Sequence, residues 1–505
     1  MMTSITFSKT LSSCTRRPGY CSNALLNQAS KDAIQLRKYV AGSSPAVRSN
    51  QPGPPMPNEL MRIIVNHIKT HGPMPLPRYI GLCLGHPTLG YYTRSAERDA
   101  SQGGETAVIG KKGDFITSPE ISQVFGELLA IWYITQWQAQ GLPSRSRIIE
   151  LGPGRGTLMD DMLRTFKSIG AFGKTLTEVH LVETSSYMKK LQEEKLAHWS
   201  EKGVKIHWHE RIENVPVEDK KTFTMLAAHE FFDALPIHMF EKRAEGWREV
   251  FVDIESQKPA PENASKILIP GQNPPNPTLS KTESTPKLRF AVSPSATLAV
   301  NLLVREDDER FKGLSQGTRV EVCPDQYGIG AAAAKLVQPC GAGLVIDYGD
   351  ERFFNHSFRA FKNHQLADPL EEPGSADLTA NVDFSALRDA LTSGYTGPGH
   401  KAEKLSDALT SPPSQAAPNI FVPPLLSQRS FLLSLGLQLR IEKLVQNAPN
   451  DERRKDIITA AQRLVDKNVK IHGMGKVFKV VGFVPSRQTE GGKEQEVFPF
   501  GSELD

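Results

Sequence analysis

Three short stretches of this 505-residue chain hold residues whose types and spacing could do chemistry. The first is Glu150-Leu-Gly-Pro-Gly-Arg-Gly-Thr-Leu158, where the apolar run RIIELG meets Gly152, Gly154 and Gly156 and helical text follows. Glycines there let the backbone turn tightly and approach a ligand with no Cβ in the way, and the helix start adds free N–H groups. Two cofactors suit such a loop. A dinucleotide site wants G-x-G-x-x-G and an acid about 20 residues on. Here the third glycine comes one residue early, and the next strand closes on Glu183, 31 residues after Gly152. Glu183 could hold ribose hydroxyls in either case. Glu150, just before the glycines, would repel a pyrophosphate but favour the cationic methionine end of S-adenosylmethionine. The stretch points to S-adenosylmethionine rather than NAD.

The second stretch is His229-Glu-Phe-Phe-Asp-Ala-Leu-Pro236, an aromatic-flanked turn after an apolar strand. Glu230 and Asp233 could grip a cation, and a carboxylate matches a guanidinium in a bidentate fork. A structural turn with Asp233 capping a helix is equally open. The third stretch, Gly113-Asp-Phe-Ile-Thr-Ser-Pro-Glu120, could start a helix, with Ser118 as N-cap and Pro119 at the first helical position, or lie over the cofactor. His207 and His209 alternate on a short strand without a third ligand, so no metal is expected. No G-x-S-x-G elbow, Walker loop or H-E-x-x-H is present.

Positioning these stretches requires alternating strands and helices. Apolar strands are expected at 147–152, 178–183, 205–210, 223–230, 319–324, 344–349 and 477–484, with helical text between most of them. This alternation argues for a parallel sheet covered on both faces, an α/β class. Ahead of it, apolar residues at 60, 63, 64 and 68 and at 124, 128, 131 and 132 have helical spacing, giving an N-terminal helical part over 58–140 before a core starting at 145. MFEKRAEGWREVFVDI reads as a hairpin around Glu245-Gly246. Low-complexity inserts are expected at 256–290 and 393–420, and a flexible tail at 486–505.

Composition excludes several classes. The chain is 23% charged and 39% hydrophobic, too polar for a multi-span membrane protein and too apolar for a disordered one. No membrane span is expected. Five cysteines without a C-x-x-C pair argue against a disulfide scaffold or cysteine-rich zinc site. The net charge of +4 has an address: of 60 basic and 56 acidic residues, seven basic and one acidic lie before residue 49. The remainder carries −2, and no basic–aromatic cluster supports nucleic-acid binding. Residues 1–50, rich in Ser and Arg and poor in acids, have the composition of a mitochondrial transit peptide, and the proline-rich 51–58 reads as a linker.

Over residues 58–485 the chain resembles the MidA family of mitochondrial complex I assembly methyltransferases. The resemblance runs through GPMPLPRYIGLCLGHPTLGYY, GDFITSPEISQVFGELLAIW, IIELGPGRGTLMDDMLR, VHLVETS, HEFFDALPIHMFE, LVIDYGD and DPLEEPGSADLTANVDFSAL. It implies a class I S-adenosylmethionine-dependent fold, a Rossmann-like seven-stranded sheet with extra helical and β elements over the active site. It also implies a mitochondrial matrix enzyme that symmetrically dimethylates an arginine on a core subunit of respiratory complex I. On this reading Glu150, Gly152, Gly154, Gly156 and Glu183 bind cofactor, Thr117, Ser118 and Pro119 border it, and Glu230 and Asp233 are catalytic. Where the family reads Asn, this chain has His229, which can also titrate. Two other functions share these features: an assembly scaffold that needs no turnover, and a small-molecule methyltransferase.

Overall fold

The computed structural model describes residues 58–93, 116–255, 286–304, 308–393, 419–468, 473–487 and 495–501. The expected transit peptide and most of both inserts lie outside the described residues.

The core-forming strands are β1 (Arg145–Leu151), β2 (Leu176–Val182), β3 (Lys205–His209), β4 (Thr222–His229), β5 (Gly341–Asp350), β6 (Ile420–Phe421) and β7 (Phe478–Pro485). They lie side by side in the order β6-β7-β5-β4-β1-β2-β3. β5, β4, β1, β2 and β3 pair in parallel, while β7 runs antiparallel to β5 and β6 antiparallel to β7. Two short strands, Val382–Asp383 and Leu426–Ser427, extend the sheet beside β5 and β7. β4 is buried along its whole length, as expected of a parallel strand covered on both faces. Strand order reverses between β4 and β1, and an open α/β sheet has its ligand crevice at the carboxyl ends of its strands beside such a reversal. The glycine loop follows β1, and Glu230 follows β4.

The helices that matter for the site are α1 (Glu59–His71), α2 (Leu76–Gly85), α3 (Ser118–Ile121), α4 (Gln123–Ala139), α5 (Thr157–Ser168) and α6 (Ser186–Glu201). Asn58 caps α1 by accepting from the Met61 N–H at 2.7 Å, and Gly72 ends it at φ 87°. A helix entry at Ser118 and the helical spacing over 124–132 would together make one helix. The structure has two, because Ser122 turns extended and caps α4. Thr117, not Ser118, occupies the cap position of α3, and Ser118 is its first residue. α4 is buried on nearly all sides, and Leu128, Trp132, Leu163 and Phe166 pack with the sheet in one core.

A second sheet is antiparallel and lies outside the parallel order. It joins Met74–Pro75, Gly246–Ile254, His238–Arg243 and Arg319–Val322, with Leu288–Val292 on its edge. The Glu245-Gly246 hairpin is present, with Gly246 at φ 99°. Arg319–Val322 was expected in the parallel sheet. It instead pairs antiparallel with His238–Arg243, where Arg319 Nε donates to Glu241 at 2.8 Å. α1 and α2 pack on this second sheet through Leu60, Ile64, Tyr79, Ile80, Met239 and Val252. Two boundaries move. Residues 288–292, expected inside an insert, form a strand. Val497 and Phe500, expected in the tail, are buried in the main core, and Trp132 Nε1 donates to the Phe498 carbonyl at 2.8 Å.

Candidate active site

Glu230 stands where β4 stops, and its backbone is left-handed at φ 49°, a conformation uncommon outside glycine. Its N–H donates to the Ile346 carbonyl at 3.0 Å. The next three N–H groups, of Phe231, Phe232 and Asp233, converge on one carboxylate oxygen of Asp347 at 3.2, 3.1 and 3.3 Å. Asp347 is wholly buried on β5. Left-handed backbone costs about 1–3 kcal/mol and persists only where its surroundings enforce it. Here the enforcing group is Asp347.

This turn brings carboxyl groups close together under low dielectric. Burial, then the charge of Asp233, raises Glu230 well above the usual carboxylate range, while the Ser118 backbone N–H pulls it back. One Glu230 oxygen is buried without a hydrogen-bond partner. Asp233 lies behind the turn, where the Tyr348 hydroxyl donates to it and the Arg359 guanidinium sits 4.8 Å from the Tyr348 ring centroid. Burial pushes Asp233 up to about 6 against the pull of Tyr348 and Arg359. Asp233 does not line the cavity; Glu230 does. Burial drives His229 down to about 3, so its ring is neutral at physiological pH. It therefore offers a hydrogen-bonding side chain without charge, as an Asn would.

In the loop after β1, Gly152, Gly154 and Gly156 take φ values of 62°, 52° and 79°. A Cβ on Gly152 would come within 2.8 Å of the Phe231 ring, so the loop after β1 and the turn after β4 touch. Gly156 caps α5 and lies off the cavity, whereas Gly152 and Gly154 line it. Glu183 accepts from the Ser185 N–H at 2.7 Å and from the Gln192 amide at 3.1 Å. Burial alone pushes Glu150 up to about 8, and one of its oxygens has no hydrogen-bond partner. Thr117 and Pro119 border the cavity, and Glu120 accepts from the Thr157 hydroxyl at 2.6 Å, tying α3 to the helix after the glycine loop. Ser118 is buried with its hydroxyl on the Met474 sulfur at 3.6 Å, away from the cavity.

The cavity encloses about 790 Å³. Glu150, Glu183 and Glu230 all line it, and among the described residues none of the three forms an ion pair with Lys or Arg. Three lining acids without a Lys or Arg ion pair, beside a glycine loop in left-handed backbone, fit a cationic nucleoside cofactor and a cationic substrate. Among the described residues no cluster of His, Cys, Asp and Glu could hold a metal ion, and no helix is long and apolar enough to cross a membrane.

Two residues of the site carried no assigned role in the sequence reading. Gln192 left a signal: α6 buries Met188, Gln192, Leu196 and Trp199, so a polar residue stands in an apolar stripe. Asp347 left none, because its partners lie more than 100 residues away in the chain.

The strand row, its reversal point and the glycine loop define a class I S-adenosylmethionine-dependent methyltransferase. Residues 128–399 match a family described as "Putative S-adenosyl-L-methionine-dependent methyltransferase", and the chain belongs to that family. S-adenosylmethionine is its cofactor. Relatives include "Protein arginine methyltransferase NDUFAF7, mitochondrial" of Danio rerio, 34% identical over 87% of this chain and 91% of its own. The Homo sapiens protein of the same name is 32% identical over 88% of each chain. A Burkholderia thailandensis protein crystallised with S-adenosyl-homocysteine has the same fold, with a TM-score of 0.60 at 22% identity, covering 85% of this chain and 95% of that one.

Proposed function

We propose that this enzyme transfers methyl groups to an arginine side chain of a protein, symmetrically dimethylating a core subunit of respiratory complex I in the mitochondrial matrix. The observation that carries the reading is Glu230: a buried carboxyl group on the cavity wall, held in left-handed backbone and, among the described residues, in no ion pair with Lys or Arg. The names of the curated relatives support an arginine acceptor and a mitochondrial location.

The cofactor, when bound, supplies a methyl group on a cationic sulfonium. Gly152 and Gly154 would admit it by backbone approach, Glu183 would hold its ribose hydroxyls, Thr117 and Pro119 would border it, and its cationic end would favour the ionised form of Glu150. A guanidinium stays protonated in water, so its nitrogen must be oriented and must lose a proton as the N–CH₃ bond forms. Glu230 does both. The arriving guanidinium charge favours the ionised form of Glu230, whose proton leaves to solvent; the carboxylate then accepts from the guanidinium N–H and takes the proton the methylated nitrogen sheds. Asp233, tied to Tyr348 behind the turn, raises the proton affinity of Glu230 and orients the turn. The two partners are thus brought into line, which is most of what such a displacement needs.

The experiment is to delete the protein, purify complex I and search for dimethylarginine by mass spectrometry. The reading expects loss of the mark, restored by the wild-type chain and not by Gly154→Val. Persistence of the mark would exclude this substrate.

A further inference from the structure

Gln192 sits on α6 with no exposed surface, and its amide is saturated in one orientation only. The Trp208 indole N–H donates to Gln192 Oε1 at 3.0 Å. An indole can only donate, so the oxygen end of the amide is fixed there. The nitrogen end then faces two groups that can only accept: the Gly154 carbonyl at 2.8 Å and Glu183 Oε2 at 3.1 Å. One side chain thus bridges the glycine loop after β1, the acid after β2 and the indole on β3. Glu183 needs such a holder. Its other oxygen is bound by the Ser185 N–H, and no Lys or Arg pairs with it among the described residues.

We propose that Gln192 is a positioning residue for the cofactor: it locks the Glu183 carboxylate to the glycine loop, so that Glu183 presents free lone pairs to the ribose hydroxyls at a fixed distance from the backbone. Gln192 touches the acid and the loop; it does not line the cavity. Its action on the cofactor passes through Glu183. The inference rests on the assignment of Glu183 to the ribose.

The test is calorimetric titration of the full chain with S-adenosyl-homocysteine and with its analogue lacking both ribose hydroxyls. Gln192→Met keeps the length and removes the amide. We expect it to weaken S-adenosyl-homocysteine about tenfold, the scale of a hydrogen bond to a charged group, and the dideoxy analogue less than about threefold. In a Glu183→Ala background the same change should cost less than about twofold, because the pair acts as a unit. Equal loss for both ligands would overturn the proposal and leave Gln192 a packing residue, as would no loss for either. The assignment of Glu183 fails separately, and visibly, if the wild-type chain binds the dideoxy analogue as tightly as S-adenosyl-homocysteine. Should Gln192→Met not fold, Gln192→Glu keeps the shape and sets a carboxylate against two acceptors; the same selective loss is expected, and its absence would overturn the proposal.

Discussion

His229 Nε2 lies 3.3 Å from Glu230 Oε1, and burial leaves the imidazole neutral rather than charged. A neutral ring cannot hold Glu230 as an ion pair; it can only neighbour it as a polar group. His229→Asn should therefore keep turnover within about threefold and leave the pH profile between 5 and 8 unchanged, since no imidazole titrates there in the folded enzyme. A pH–rate limb that disappears in His229→Asn would show that the ring does carry charge.

Asp347 accepts from four backbone N–H groups, three of them consecutive in the turn after β4, so its loss strands those donors. Relief of repulsion from Asp233 and Glu230 offsets part of that cost. Asp347→Ala should still destabilise the enzyme by about 2 kcal/mol, and it should reduce kcat far more than cofactor affinity, because the turn it holds carries Glu230 and not the glycine loop. Chemical denaturation and calorimetry check both halves. Equal falls in cofactor affinity and kcat would contradict the separation.

Gly154 takes φ 52° on the wall of the cavity. A β-branched residue is strained there and, on the proposed site, also projects where backbone would approach the cofactor. Gly154→Val should remove measurable S-adenosylmethionine binding while the far-ultraviolet circular dichroism stays that of the wild type. A folded Gly154→Val protein with unchanged affinity would sink the loop assignment.

Much of this was legible in the sequence, for reasons visible in particular residues. β1, β2, β4 and β5 are buried strands, so they appear as apolar runs, and the glycines and acids at their carboxyl ends stand out against them. Arg319–Val322 looked like one more such strand because its pairing with His238–Arg243 leaves no local trace. Asp347 is hidden for the same reason. It sits in the apolar text LVIDYG, and only folding brings the turn after β4 onto it. Gln192 was readable in principle, as the polar residue at a position where the spacing of α6 calls for an apolar one. His229 shows the opposite limit: residue type suggests titration, and only burial removes it.

Glu150 gives a pH prediction with a definite sign. Its carboxyl is raised from the usual range to about 8 in the folded chain. The stability it contributes is complete below its unfolded value and is lost as pH rises through about 8. Glu150→Gln removes that slope. Without cofactor, the melting temperature of the variant relative to wild type should be near zero difference at pH 5 and clearly positive at pH 8.5, on the order of 3–4 kcal/mol in stability. Parallel melting curves across that range would show that Glu150 ionises freely in the folded state.

The role proposed for Glu230 is to orient the acceptor guanidinium and take its proton. It is tested most directly by Glu230→Gln, with methyl transfer from labelled S-adenosylmethionine to complex I subunits from cells lacking the protein, and cofactor affinity measured on the same preparation. Loss of a general base commonly costs about 10²–10⁴ in rate. A loss of that size is expected in single-turnover transfer, with cofactor affinity within about twofold of wild type. Transfer at a near wild-type rate would contradict it.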